Sequence, residues 1–336
     1  MQKLLIIALA MTACLFQDNG EPDFQDSGEP DWVPVSATPS DEELSIYRGK
    51  GEPALVIRRN EELRYDVEVD IGPFKGVSVG EARFKAWIVD SGDGEVGHIE
   101  TIFRGQYMGF ELDHRLHTRH LPTDDPALES FDTQRGSDPR RRQLSVLARE
   151  GVWTSVYRND GHCKGCDEKS HFVKPFLGLG KAAHCKKCKS AEHRVWGEPR
   201  ERAVPESALD FLSCIYLIRT LVISGSEGIA TPLLDKDRLW NLKLTPGEKK
   251  NISVPLGKYA CRHILIGAER PESEPEGGKF SGLFGMKGSM KFWVHETTGV
   301  LVQIAGELPL GPFDLGVRIR LKEAKNAPAG LRPFDD

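Results

Sequence analysis

Leu63-Arg64-Tyr65-Asp66-Val67-Glu68-Val69-Asp70-Ile71 is the stretch that decides the fold. Apolar and charged residues alternate across it without a break. A period of two belongs to a β-strand with one face in a core and the other in water. A helix would spread the same apolar residues around its circumference. Val317, Ile319 and Leu321 alternate with Arg318, Arg320 and Lys322 in the same way. Between them, strand patterns run at 78–90, 95–105, 107–119, 143–158, 237–245, 250–256, 259–267, 287–295 and 300–307. Thr297-Thr298-Gly299 reads as the hairpin turn joining the last two. With 34 Gly and 21 Pro in 336 residues, turns are plentiful and the strands between them short. The fold class is mainly β, with ordered structure beginning near Ala54.

One segment carries a different period. Between Glu206 and Leu221, Leu209, Leu212, Ile215, Tyr216 and Leu217 recur at helical spacing behind Pro205, with Glu206 and Asp210 at the first turn and Arg219 near the end. A single helix among strands is expected to lie across the concave side of a curved sheet. Residues 122–142 are polar, with Asp124, Asp125, Asp138 and Arg140-Arg141-Arg142, and read as an exposed loop.

Hydrophobic residues at 39% suffice for a core, and 28% charged residues argue against global disorder. A net charge of -5 gives no support to a nucleic-acid or anionic-membrane partner. Lys3 followed by the apolar run Leu4 to Met11 reads as a signal peptide, too short to span a bilayer. Met11-Thr12-Ala13-Cys14 resembles a bacterial lipoprotein cleavage box, which makes Cys14 a lipidation site; Met11 stands where Leu is usual, and an ordinary signal peptide remains the alternative. Next, Phe16-Gln17-Asp18-Asn19-Gly20-Glu21-Pro22-Asp23 repeats as Phe24-Gln25-Asp26-Ser27-Gly28-Glu29-Pro30-Asp31. Its like charges and scant apolar surface predict an acidic flexible tether over 15–53.

Four cysteines stand in two pairs inside a polar insert, 159–200. Cys163 and Cys166 form one C-x-x-C, Cys185 and Cys188 the other, with 18 residues between. This is zinc-ribbon spacing: two thiolates from each tight turn complete a tetrahedron around one structural zinc. The surrounding lysines, Lys164, Lys169, Lys174, Lys181, Lys186, Lys187 and Lys189, would offset the excess negative charge. His162 and His184 precede the pairs and would stay outside a four-sulfur site. Disulfides and a redox pair are the competing readings. Haem attachment is excluded, because Asp167 and Lys189 stand where histidine would be needed. Cys214 and Cys261 fall in apolar surroundings and read as core thiols.

Two motifs look catalytic. Gly76-Val77-Ser78-Val79-Gly80 matches G-x-S-x-G, but a strand pattern follows it where a hydrolase elbow needs a helix. His295-Glu296 is followed by Thr297-Thr298-Gly299, so the zinc-protease helix is missing. Catalytic residues are therefore expected to be none.

In order and spacing, Glu61-Glu62-Leu63-Arg64-Tyr65-Asp66-Val67, Gly80-Glu81-Ala82, Ser207-Ala208-Leu209, Tyr216-Leu217-Ile218-Arg219-Thr220-Leu221, Gly257-Lys258-Tyr259 and Phe284 to Val294 resemble the bacterial exported proteins of domain of unknown function family 3108. The resemblance covers roughly 58–325. It implies an envelope location and a curved, partly closed antiparallel β-barrel or half-barrel with one helix packed across it. The cysteine insert is not part of that pattern, and the family brings no assigned reaction. The expected function is a non-catalytic binding or scaffolding protein of the periplasm or envelope, with an apolar ligand against the helix. An enzyme with an unrecognised site in the cavity, or a thiol-redox or metal-handling module, are the rivals.

Overall fold

The computed structural model describes residues 45–47, 55–71, 74–90, 95–107, 110–120, 128–136, 141–147, 152–159, 202–205, 207–235, 238–275, 280, 286–310 and 313–331. The chain forms, in order, β1 (Ser45–Tyr47), β2 (Leu55–Ile57), β3 (Glu61–Ile71), β4 (Phe74–Asp90), β5 (Glu95–Tyr107), β6 (Phe110–His120), β7 (Leu128–Gly136), β8 (Arg141–Leu147), β9 (Val152–Asn159) and β10 (Arg202–Ala203). Helix α1 (Phe211–Ile223) follows, then β11 (Ile229–Asp235), β12 (Arg238–Val254), β13 (Gly257–Glu269), β14 (Lys287–His295), β15 (Leu301–Leu310) and β16 (Phe313–Lys325). β1 and β2 make a small antiparallel pair. The other 14 strands form one sheet in the order β10-β9-β8-β7-β6-β5-β4-β3-β16-β15-β14-β13-β12-β11.

That sheet is open, and it is curved. α1 touches β5 and β6 on one side and β11 and β12 on the other. In the strand order β6 and β11 are nine positions apart, about 43 Å in a flat sheet. A helix of 13 residues is about 20 Å long. The sheet must therefore wrap around the helix, a partly closed barrel with α1 inside. Edge strand β11 is met at one point by the segment between β10 and α1: Leu209 bridges Leu233, with Leu209 N–H donating to Pro232 O and Leu234 N–H to Leu209 O. Pro232 has no N–H to contribute to a ladder, which suits an edge strand.

β3 lies near the middle of this sheet, between β16 and β4. Leu63, Tyr65, Val67 and Val69 are buried with Ala82, Phe84, Val317, Ile319 and Leu321, as the alternation predicts. The opposite face is less wet than expected. Glu68 is 8% exposed and pairs with Arg320 at 2.7 Å. Beside it Arg318 meets Asp70 at 2.8 Å and Lys322 meets Asp66 at 3.0 Å. Cross-strand neighbours on three adjacent strands turn the charged face into an ion-pair grid, which single-strand periodicity cannot show.

Several sequence expectations need correction. Ser45–Tyr47 pairs with Leu55–Ile57, so the 15–53 tether reading reaches too far; the acidic repeat stops at Asp31 and Ile46-Tyr47 is strand-forming. The 122–142 loop reading fails too, because Leu128–Gly136 is a strand paired on both sides and Arg141–Leu147 begins within the range. A strand rich in polar residues is paired there through its backbone ladder. The single span 143–158 is two strands, β8 and β9, whereas 237–245 and 250–256 join in one β12 through an irregularity at Pro246/Lys249. The helix starts later than expected: Asp210 is its N-cap and Phe211 its first residue.

Gly299, in the β14–β15 turn, has φ +65°, and a Cβ there would sit 2.7 Å from the Cα of Arg219. Both the turn and the helix contact demand glycine. Gly299→Ala is expected to destabilise by about 1–3 kcal/mol, read as a lowered urea midpoint with unchanged m-value. An unchanged midpoint would mean the turn does not press on α1.

Candidate functional site

Cys14 and the four metal-ligand candidates Cys163, Cys166, Cys185 and Cys188, with His162 and His184, lie outside the described residues. Among the described residues, chemistry-bearing side chains gather in three places.

The deepest is at the start of β3. Glu61 and Arg219 meet at 2.6 Å, with side chains 1% and 5% exposed. The Arg219 guanidinium also lies over the Tyr216 ring, 4.6 Å from its centroid. Tyr65 Oη donates to Leu301 O at 2.9 Å, tying the same region to β15. Burial works against the Arg219 charge, yet Glu61 holds its pKa above the usual value. Burial lowers that of Arg58, which Glu61 raises and Arg219 lowers. Burial also raises Tyr65 and Tyr216 well above the ordinary phenol range, so both stay neutral donors. A carboxylate and a guanidinium so enclosed neutralise each other.

The second group caps the helix. Asp210 Oδ1 accepts from Ser213 N–H at 2.9 Å and from Ser213 Oγ at 2.5 Å. Its Oδ2 accepts from Thr118 Oγ1 on β6 and from Ser130 Oγ on β7 at 2.8 Å. His120 Nε2 stands 3.1 Å from Ser213 Oγ. Serine, histidine and aspartate in one cluster suggest a nucleophile, but the protons are arranged otherwise. The single hydroxyl proton of Ser213 is donated to Asp210. His120, lowered to about 4 by burial with Asp210 opposing, is neutral at pH 7 and must donate from Nε2 to Ser213. It therefore cannot take the serine proton as a triad histidine does, and Ser213 is fully buried. The cluster is an N-cap that pins α1 to two strands.

The third group is on the other face of the sheet. Trp87 stacks on His98 with centroids 4.9 Å apart and planes 5° apart, and on His117 at 5.5 Å. His98 Nδ1 and His117 Nε2 are 3.1 Å apart. Burial, then the neighbouring His117, Arg119 and His120 charges, lowers His98 to about 3; burial, Arg115 and Arg119 lower His117 to about 4. Both rings are neutral at pH 7, one donating to the other. The nearby Glu100 carboxylate is committed to Arg115, at 2.5 Å and 2.8 Å, and to Arg83 at 3.7 Å. Among the described residues no group of three or more histidine, cysteine or acidic side chains is placed to hold a metal ion.

The look-alike motifs resolve into structure. Gly76 to Gly80 lie within β4, and a Cβ on Gly80 would run into the Arg104 carbonyl and Gly105 Cα of β5. Gly80 is there for strand approach. His295 Nδ1 is 2.9 Å from Thr298 Oγ1 within the β14–β15 turn. Cys214 and Cys261 are free, buried thiols, with Cys261 pushed up to about 12 by burial and Glu296.

No family model matches the chain, and no curated protein does. Among solved structures the chain is similar to the crystal structure of a beta-barrel-like protein of domain of unknown function DUF1849 from Brucella abortus. The identity is 10% and the TM-score 0.44, over 80% of this chain and 98% of that one.

Sequence reasoning did not foresee the Glu61–Arg219 pair. Glu61 occupies a core-face position in an acidic dipeptide, and Arg219 is the only charged residue of a mainly apolar helix; those two misfits are the signals that could have joined them. Replacing Arg219 by Met should strand a buried carboxylate at a cost of about 3–5 kcal/mol. Glu61→Leu together with Arg219→Met should recover most of it, measured as a double-mutant cycle in urea. Additive losses would show that the pair does not act as a unit.

Proposed function

We propose that the protein is a non-catalytic binding or scaffolding component of the bacterial cell envelope, anchored by lipid at Cys14 and related to the exported proteins of family 3108. The observation that carries the binding reading is the open, curved sheet wrapped around α1. Around α1 the wall is closed by the chain's own side chains: Leu212, Ile215, Tyr216, Leu217, Ile218 and Leu221 are all buried against it. That helix face is filled and is not the wall of a ligand site. A cargo would have to lie on the sheet away from α1, and an amphiphile with a polar head and an acyl chain, such as a lipid or an acylated protein, is the class of cargo we assign.

The N-terminal Lys3, apolar run and Met11-Thr12-Ala13-Cys14 support export and lipidation. A structural zinc on Cys163, Cys166, Cys185 and Cys188 is supported by their spacing. A closed four-sulfur site leaves no open position for substrate, which favours a stabilising role over metal chemistry.

Native mass spectrometry of the protein purified from membranes tests these together. The expected species is a chain beginning at Cys14 with attached lipid, one zinc and a displaceable amphiphile. Cys14→Ser should abolish the lipid increment alone. A chain that carries no amphiphile and takes up no fluorescent fatty acid when offered one would overturn the binding reading, whatever the state of Cys14 and the zinc.

A further inference from the structure

The charges around the buried ion pair do not balance. β2 packs on α1 and touches β4 and β5, with Leu55 and Ile57 buried in the main core. The chain then turns through Arg58, Arg59 and Asn60 into β3. Asn60 holds φ +56°, and Asn326 Nδ2 donates to its carbonyl at 2.8 Å. The Arg58 backbone is thus fixed between a buried strand and a tied turn. The two arginines of this turn differ. Arg59 pairs with Glu95 at the start of β5. Arg58 is half-buried, and its Nε is enclosed with no hydrogen-bond partner.

Two charged side chains act on Arg58: Glu61 favours its charge and Arg219 opposes it. Glu61 turns Oε2 to Arg219 at 2.6 Å, while its Oε1 has no hydrogen bond. Two guanidiniums therefore share one carboxylate, and a donor on Arg58 is left open. Burying a cation without its own counter-ion is costly, and burial is what lowers the Arg58 pKa most. Arg83 and Arg318 also have an unbonded Nε, but each meets a carboxylate through another nitrogen. Among the described residues Arg58 has no such pair. A guanidinium is a planar fork that matches the paired oxygens of a carboxylate or a phosphodiester. One negative charge balances the cluster, whereas a phosphate monoester, at about -1.5 to -2 near pH 7, overshoots it.

We propose that Arg58 is the recognition residue of an oxyanion site at the β2–β3 end of the barrel, and that the site takes a monoanion with two paired oxygens, a carboxylate or a phosphodiester. Arg58 supplies the fork, Arg219 adds positive potential, and Glu61 holds Arg219 in place. The site is on the β2–β3 turn and not on the filled helix face. It does not depend on the cargo reading, because a free acid fills it as well as the head of an acyl lipid does.

The test uses the full-length protein at constant ionic strength, with chloride as the reference anion. Sodium hexanoate and sodium dimethyl phosphate are titrated, and melting temperature and the arginine Nε–Hε signals in NMR are followed. At least one of the two should raise the melting temperature saturably above the chloride value and shift the Arg58 signal. Arg58→Gln should weaken that binding by about tenfold or more, as expected for lost charge-assisted hydrogen bonds. Without anion it should melt no lower than the wild type, because it removes a charge that has no partner of its own. Arg59→Gln, in the same turn but paired with Glu95, should bind as the wild type does. Dodecanoate tighter than hexanoate by about tenfold or more identifies the head of an acyl lipid as the source, and equal affinity a free small acid. The proposal is overturned if neither oxyanion stabilises the wild type beyond chloride, as expected were Arg58 and Glu61 merely bridged by water. It is equally overturned if Arg58→Gln binds as tightly as the wild type. Should that variant fail to fold, the wild-type NMR decides, and an Arg58 signal that neither anion moves overturns the proposal.

Discussion

A guanidinium and a carboxylate enclosed in an apolar barrel hold this structure in register. Arg219 comes from α1 and Glu61 from the first residue of β3, and neither is more than 5% exposed. Removing two charges from water costs several kcal/mol each, and only their mutual contact offsets it. The helix therefore cannot slide or rotate without stranding both. Around the pair, Tyr216 supplies its ring face, Tyr65 bonds to Leu301, and Gly299 presses on the Arg219 backbone. One side chain thus connects β3, α1 and the β14–β15 turn.

The other end of the helix is held by a different chemistry. Asp210 distributes four hydrogen bonds between its own first turn and strands β6 and β7. With the ion pair near one end and the cap at the other, α1 spans the interior and sets how far the sheet curls. The Leu209–Leu233 bridge adds a backbone tie between the segment that leads into α1 and edge strand β11. What resembles a serine–histidine–aspartate site is part of this framework, since the direction of its protons serves the cap and not an attack.

Legibility in the sequence followed locality. The 63–71 strand was readable because burial of one face writes a period of two into the residues themselves. The Thr297-Thr298-Gly299 turn was readable because a positive φ asks for glycine. The β7 strand was not, because its pairing is satisfied by backbone groups that leave no trace in side-chain type. The Glu61–Arg219 contact joins residues far apart in the chain, and each alone looks like a surface residue. The start of the helix was misjudged by a few positions because an acidic residue suits both a first turn and a cap. Cys163, Cys166, Cys185 and Cys188 are the opposite case: their spacing is informative in the sequence, while their place lies outside the described residues.

The central claim is that α1 is an integral part of the barrel's cooperative core. Native-state hydrogen exchange tests it most directly. The amides of Cys214 to Leu221 should exchange at the rate of the slowest amides of β3 and β15, with the same dependence on denaturant, because they open only when the whole sheet opens. Exchange of those helix amides through a separate, lower-energy opening while β3 stays protected would contradict the account.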